Sequence, residues 1–464
     1  MPSHRITLIS NTNQSQKITF LLPSPPNLDT LFKTAKQKLR LKKPSRIYIP
    51  GGTELISSSD LEKNIKNGAE YLISCGEEYI GAIKPTSTER EEGEECRVSI
   101  IAKEAVVENE AVEQLYATAA LKGMRQVVGM PDLHPGLKSP VGATFITEGI
   151  IYPSLIGGDI GCGMAVYRTS LKASQVDDSH VKKLADQLTG IEGAWEKDVK
   201  AFLLNYLSPE DIERVSEWDE SLGTIGAGNH FAELQLITES TCQEFSEDEV
   251  VLVVHSGSRG LGKQILKESD DSYSVNSPEA QEYLQKHDRA CCWATANRDL
   301  IALRFLSRIF RQELSYADIT SRKVLDIWHN NVTCLEANTY IHRKGAAPAS
   351  AEIIVIPGSR GTLSAYVKPI STYETAFSLA HGAGRSQSRS SALKKLAKRY
   401  TPEELKRTKL GGWVICEDKE LIYEEAPEGY KDVECVVRDL VAANACEVIA
   451  WGIPRVSYKV RKNL

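Results

Sequence analysis

Six short segments each place a metal-capable side chain in a polar, mostly Gly-rich turn. They are MPDLHPG (Met130–Gly136), GGDIGCG (Gly157–Gly163), GAGNHFAE (Gly226–Glu233), VVHSGSRG (Val253–Gly260), WHNN (Trp328–Asn331) and AHGAGR (Ala380–Arg385). Five of the nine histidines (His134, His230, His255, His329 and His381) fall in these turns. A single Asn-His in a turn is ordinarily a structural hydrogen-bonder. The set as a whole is harder to dismiss, because Asp159 and Cys162 join several imidazoles to make the mixed hard and borderline donors that suit Mn²⁺ or Zn²⁺. Asp159 and Cys162 on one tight turn could bind one ion or bridge two. With three further imidazoles the donors exceed the four ligands of a closed structural zinc site. That excess points to two ions or to an open catalytic position.

Phosphate chemistry is the second theme. GSRG occurs at Gly257–Gly260 and again at Gly358–Gly361, and GAGR at Gly382–Arg385. Gly lets backbone amides approach an anion, and Arg grips phosphate oxygens in bidentate fashion. His381, flanked by Gly382, Gly384 and Arg385, has the setting of a nucleophile that attacks phosphorus. The window Gly382–Leu410 holds nine Lys/Arg and two Glu, a local basic surface beside that histidine. Neither a P-loop nor the dinucleotide fingerprint is present.

The elements that must position these groups fall into two parts. The chain has 464 residues, 41% hydrophobic and 25% charged, which predicts two or three domains and little disorder. No long apolar run and no apolar leader is visible, so neither a membrane span nor export is expected. The ten cysteines show no framework spacing and read as reduced thiols in a cytoplasmic protein, or a nuclear one. A net charge of −6 favours no partner by itself.

Residues 1–80 read as a small domain: a hairpin (His4–Ile9 with Lys17–Leu22), a helix over Leu28–Leu41, a strand at Arg46–Gly52, a short helix and a closing strand. This is the order of a β-grasp, and its ending resembles ubiquitin-like and doublecortin-like domains. Its basic stretch Lys33–Arg46 reads first as a solvated face, with docking of a protein partner as the alternative. Residues 81–96 are an acidic linker. From 97 to 464 short strands alternate with Gly-rich turns, interrupted by helical stretches at His180–Tyr206, Pro278–Leu314 and Asp432–Ala445. The class is α+β.

DLHPG, GGDIGCG, GTIGAGNHFAE, HSGSRGLG, HRKGA, IPGSRGT, HGAGR and EAPEGYKD, in that order, resemble the RtcB family of RNA ligases over Arg97–Lys459. The resemblance implies a sandwich-like catalytic domain around two Mn²⁺ ions, with GTP as the energy source. It implies joining of RNA 3′-phosphate or 2′,3′-cyclic phosphate ends to 5′-hydroxyl ends in tRNA splicing or repair. Carried over by motif, Asp159, Cys162, His230, His255 and His329 would hold manganese, with Cys162 bridging. His381 would be guanylylated, with Asp132 and Arg385 as further catalytic groups. Asn229, Glu233, Ser359, Ser364, Gly382, Ala383, Gly384, Tyr430 and Lys459 would hold the guanylate. Arg385, Arg389, Arg259 and Lys344 would meet RNA or triphosphate oxygens. The chain departs from the family at LKSPVGAT after DLHPG, at Arg360 in the GSRGT loop, and in continuing past Lys459. Two other readings stand beside ligation: a non-ligating RNA-end-binding protein and a metal-dependent cyclic phosphodiesterase.

Overall fold

The computed structural model describes residues 4–12, 16–22, 25–49, 53–65, 69–79 and 96–460. The expected linker (all but Cys96) and the Gly51–Gly52 turn lie outside them. The chain divides into two compact units, Met1–Glu89 and Arg90–Leu464.

In the first unit, His4–Ser10 pairs antiparallel with Lys17–Leu22 and parallel with Ala69–Ser74. Arg46–Tyr48 completes the four-stranded sheet on the far side of Ala69–Ser74. The helix Leu28–Lys38 starts where the Asn27 side chain accepts from the Asp29 amide. It stops three residues short of the expected end, and Arg40 turns left-handed with φ 55°. Its apolar face sends Leu31 and Ala35 onto Ile6, Leu8, Ile47 and Ile73. Ser57 and Asp60 form a capping box that opens the short helix Ser58–Asn64.

The second unit is built on two sheets. The eight-stranded sheet runs Lys323–Trp328, Gly163–Lys172, Glu249–Ser256, Phe231–Thr238, Cys446–Tyr458, Ser364–Pro369 and Ile354–Pro357, with Trp413–Ile415 alongside Cys446–Tyr458. The five-stranded sheet runs Asn330–Glu336, Thr339–Lys344, Val141–Glu148, Met124–His134 and Arg97–Ile100. Period-two alternation explains how the larger sheet is covered on both faces. Met164, Val166, Val251 and Val253 point toward Val128, Met130, Ile146 and Ile341 of the smaller sheet. Their neighbours Ala165, Tyr167, Leu252 and Val254 point to the helix Pro278–Phe310.

That helix forms as one piece. Ser277 caps it with Pro278 in the first turn, and Arg311 ends it at φ 53°. Trp293, Ala296, Leu300 and Phe305 are fully buried along it. The stretch His180–Tyr206, in contrast, is two short helices, Val181–Leu188 and Val199–Leu203. Gly190 (φ 75°) and Gly193 (φ 130°) break it between them. The third expected helix spans Val433–Ala442. Asn109–Ala119 and Gly260–Glu268 are helices not expected from the sequence. All ten cysteines are free, and no helix among the described residues is long and apolar enough to cross a membrane.

All six tryptophans lie in the second unit, so their fluorescence reports on it alone. Leu300→Ala, at a fully buried position, should lower the stability of that unit by about 2–5 kcal/mol in urea unfolding. A loss below about 1 kcal/mol would mean the helix is not packed as described.

Candidate metal centre and nucleophile

The candidate ligands sit at one end of four neighbouring strands. Cys162 immediately precedes Gly163–Lys172, His255 is the penultimate residue of Glu249–Ser256, His230 precedes Phe231–Thr238, and His329 follows Lys323–Trp328. Cross-strand pairing aligns these ends, with Trp328 opposite Gly163, Met164 opposite His255, and His255 opposite Phe231. Strand register therefore brings together residues up to 167 positions apart.

Cys162 Sγ lies 3.3 Å from Nε2 of each of His230, His255 and His329. His255 and His329 face each other Nε2 to Nε2 at 3.2 Å, and Asp159 Oδ2 is 2.8 Å from His230 Nε2. His230 Nδ1 donates to the Ile225 carbonyl. A neutral His230 therefore turns an Nε2 lone pair toward a carboxylate oxygen, which requires a proton or a cation between them. Burial keeps His255 and His329 far below the usual histidine range, so both are neutral and able to ligate. Burial, with Asp159 beside it, pushes the Cys162 thiol well up. Burial opposes the charge of Asp159, yet His230 outweighs it and holds the carboxyl low. Cys162, His230 and His255 form a buried group with metal-ligand spacing, and the donor set fits a divalent ion. Among the described residues Asp159 Oδ1 and His329 Nδ1 have no hydrogen-bond partner, which leaves further donor capacity at the centre. Gly257 must lack a side chain, because a Cβ there would sit 2.2 Å from Asp159 Oδ1.

His381 adjoins this centre, its ring centroid 4.7 Å from that of His329. Its Nδ1 is 2.7 Å from Oδ2 of the fully buried Asp132, so its Nε2 is the nitrogen left for other chemistry. Gly384 (φ 71°) lets the HGAGR turn pass over Asp132, since a Cβ would meet the Asp132 carbonyl at 2.3 Å. His134 does not join the metal group. It donates to the Asp132 carbonyl, and burial lowers it to about 4.

A cleft of about 1300 Å³ opens over both groups. Asp159, Cys162, His255, His329, His381, Asn229, Glu233, Ser359, Gly382, Ala383, Gly384, Tyr430 and Lys459 all line it. Ser364 does not: its buried hydroxyl accepts from Gln235, facing into the sheet. Burial raises Glu233 to about 7 even though it accepts from Gln235 and Ser457. Lys459 is buried, donating to the His230 carbonyl.

The arginines expected to clamp phosphate are already engaged. Arg385 and Arg389 lie 3.0 Å and 3.1 Å from the same oxygen of buried Glu425. Tyr430 donates to its other oxygen, and Lys459 stands 3.6 Å from it. Burial works against the Glu425 charge, but Lys459, Arg389 and Arg385 hold the carboxyl at about 2. Lys344 donates to Ser139, and burial lowers it to about 8. Arg259 stands off the cleft wall, donating to Thr224. Arg360 is buried and donates to the Ile422 carbonyl.

Sequence reading gave no role to Glu425, although it opens the EAPEGYKD motif. It also passed over Arg298, a fully buried cation in the long helix. Arg298 pairs with Asp326 at 2.6 Å and donates to the carbonyls of Gly161 and Ser256, one in each of two ligand-bearing turns. A charged residue amid the apolar positions of a core helix was the signal available.

A buried thiol and imidazole group beside a carboxylate-supported histidine, in a cleft with a cationic wall, suits metal-assisted group transfer. The sequence matches the family model described as tRNA-splicing ligase RtcB over residues 114–200 and 197–460. It is 41% identical over 369 residues to RNA-splicing ligase RtcB2 of Escherichia coli, covering 76% of this chain and 93% of that protein. The tRNA-splicing ligase RtcB of Methanococcus maripaludis is 28% identical, with coverage of 71% and 87%. RNA-splicing ligase RtcB of Escherichia coli strain K12 is also 28% identical, with coverage of 74% and 93%. The chain belongs to the RtcB family.

Cobalt(II) titration provides the test of the metal centre. The wild type should give a thiolate-to-cobalt charge-transfer band, and Cys162→Ala should abolish it and weaken binding at least about tenfold. An unchanged band in the variant would remove Cys162 from the centre.

Proposed function

We propose that the protein is a GTP- and Mn²⁺-dependent RNA ligase. It joins 3′-phosphate or 2′,3′-cyclic phosphate ends to 5′-hydroxyl ends in tRNA splicing or RNA repair. The observation that carries this reading is the His381–Asp132 pair set against the Cys162 centre at the floor of one cleft. Asp159, Cys162, His230, His255 and His329 would hold two manganese ions. Bound there, they supply Lewis-acid activation of phosphate oxygens.

His381 acts first. Its Nε2 forms a bond to the α-phosphorus of GTP, the bond to pyrophosphate breaks, and Asp132 stabilises the charge that develops on the ring through Nδ1–H. An oxygen of the RNA 3′-phosphate next displaces His381 and takes the guanylyl group. The 5′-hydroxyl then attacks the 3′-phosphorus, loses its proton, and GMP leaves. A cyclic end is first opened by water. Asn229, Ser359 and the backbone of Gly382–Gly384 cradle the guanylate; Tyr430 and Lys459 pack beside the base. Glu233 accepts from guanine N–H groups. The first unit is read as a β-grasp, ubiquitin-like module whose basic stretch is a solvated face or, alternatively, docks a protein partner, and the working compartment as the cytoplasm or the nucleus.

Two measurements test this. Intact-mass spectrometry after incubation with GTP and Mn²⁺ should find a GMP adduct on the wild type and none on His381→Ala. Bound metal without an adduct would favour a non-ligating RNA-end-binding protein or a cyclic phosphodiesterase. Calorimetry with GTP should show affinity rising with pH as Glu233, held at about 7, loses its proton, then levelling above that value. The carboxylate accepts from guanine, whereas the protonated form returns a donor. Glu233→Gln should bind more weakly and lose most of the pH dependence; a wild type flat from pH 6 to 8 would remove Glu233 from base recognition.

A further inference from the structure

The cleft wall carries charge of both signs. Its lining includes Glu108, Glu110, Asp270 and Asp271, all but Glu108 exposed, with Lys138 3.6 Å from Asp271. Another stretch of the wall is Arg385–Ser390, which runs directly into the helix Arg389–Leu396. That helix buries Ala392 and Leu396 against Val414, Leu421 and Ile422. Its remaining face is open, and so is the turn that follows it.

Four cations stand on that open face: Lys394, Lys395, Lys398 and Arg399, all exposed. None of them makes an ion pair among the described residues, whereas nearby Glu403 is taken by Lys406 and Glu404 accepts from Thr401. In a chain of net charge −6, four uncompensated cations side by side are a local reversal of sign. The patch is joined to the cleft by hydrogen bonds. Lys395 Nζ donates to Gln387 Oε1 at 3.1 Å, and Gln387, part of the cleft wall, donates to the Glu428 carbonyl. Arg399 also lies over the Tyr400 ring at 5.4 Å, pairing a cation with an aromatic surface.

We propose that the open face of Arg389–Leu396 and its following turn is the track along which a single-stranded RNA end runs out of the cleft, phosphates over Lys394, Lys395, Lys398 and Arg399. The inference rests on the RNA reading above and adds a direction to it. A polyanion passing over Asp270 and Asp271 would meet two exposed carboxylates, one of them paired with Lys138. One leaving over the helix meets four cations, and counterion release then drives binding. Lys394 and Lys395 stand in the last turn of the helix and Lys398 and Arg399 in the turn that follows it, so successive phosphates can each find a partner.

The test uses the full chain carrying Lys394→Gln, Lys395→Gln, Lys398→Gln and Arg399→Gln together. Fluorescence anisotropy with a short 3′-phosphorylated oligoribonucleotide should show Kd raised at least about tenfold and the log–log salt slope lowered by about 3. Arginine at the three lysine positions should restore near wild-type affinity, since charge is what the track supplies. The GMP adduct on His381 should form as in the wild type, which also reports that the variant is folded. Neutralising Lys36, Lys38, Lys42 and Lys43 of the first unit should change RNA binding less than twofold. An unchanged Kd and slope overturns the track, as does an equal loss in the first-unit control or a wild type that does not bind the RNA. A wild type that binds RNA along this face yet forms no GMP adduct would leave the track standing and reject the ligase reading.

Discussion

Everything at the candidate site depends on the register of four adjacent strands at one end of the eight-stranded sheet. Cys162, His230, His255 and His329 come from four separate parts of the chain and meet only because Trp328, Gly163, Met164, His255 and Phe231 are paired as they are. A slip of one residue in Glu249–Ser256 would turn His255 from the side it shares with Val251 and Val253 to the side facing the long helix. Two-sided apolar alternation is what forbids the slip, because Leu252 and Val254 would have to leave the helix at the same time. The irregularities in pairing fit this account. In the pairings with Gly163–Lys172 they fall at Glu249/Val251 and Lys323/Leu325, at the ends of those strands away from the ligands. The distortion is kept where no ligand is held.

Register sets the strands, and buried charge fixes the turns. Arg298 rises from the helix to the underside of the sheet, where Asp326 neutralises it and its remaining donors reach the Gly161 and Ser256 carbonyls. A buried pair of this kind gives little net stability, since desolvation offsets most of the attraction. Its contribution here is positional: one planar group spans the turns that carry Cys162 and follow His255. Glu425 does the comparable work at the other end of the cleft. A single carboxylate, held ionised, gathers Arg385, Arg389, Tyr430 and Lys459. Three cations against one anion leave positive charge in excess, so the wall is both organised and receptive to phosphate.

Local signals were readable in the sequence, while signals that depend on distant partners were less so. The hairpin His4–Ile9 with Lys17–Leu22 and the single long helix from Pro278 follow from periodicity and capping over a few residues, and both are present. His180–Tyr206 reads as one helical stretch by its apolar spacing, but Gly190 and Gly193 adopt conformations that end it. The residue types in the Gly-rich turns singled out Asp159, Cys162, His230, His255, His329 and His381 as candidates, because Gly marks where backbone must come close. The same logic swept in His134, whose ring only closes its own turn. Ser364 was carried over by motif and faces Gln235 instead, an outcome set by strand alternation. Glu425 and Arg298 were passed over because a lone charge shows its importance only once its partners, dozens or more residues away, surround it.

Two groups of different chemistry line the cleft beside His381, one around Cys162 and one around Glu425. Around Cys162 burial leaves His255 and His329 neutral and the thiol protonated, beside the Asp159 carboxylate. A divalent cation held there would favour the thiolate and add positive charge. Around Glu425 the positive charge is instead covalently built in. A nucleoside triphosphate laid between them would have its phosphates flanked by positive charge on both sides, with one phosphorus held against the only ring nitrogen that Asp132 does not occupy. On the proposed reading, the arrangement would favour charge that builds up at the phosphorus in the transition state over charge spread along the ground-state chain, which is the condition for binding energy to lower a barrier. Asp132 matters for the same reason. Buried and hydrogen-bonded to Nδ1, it leaves the far nitrogen open and, in the proposed reaction, would stabilise the ring when that nitrogen gains a bond.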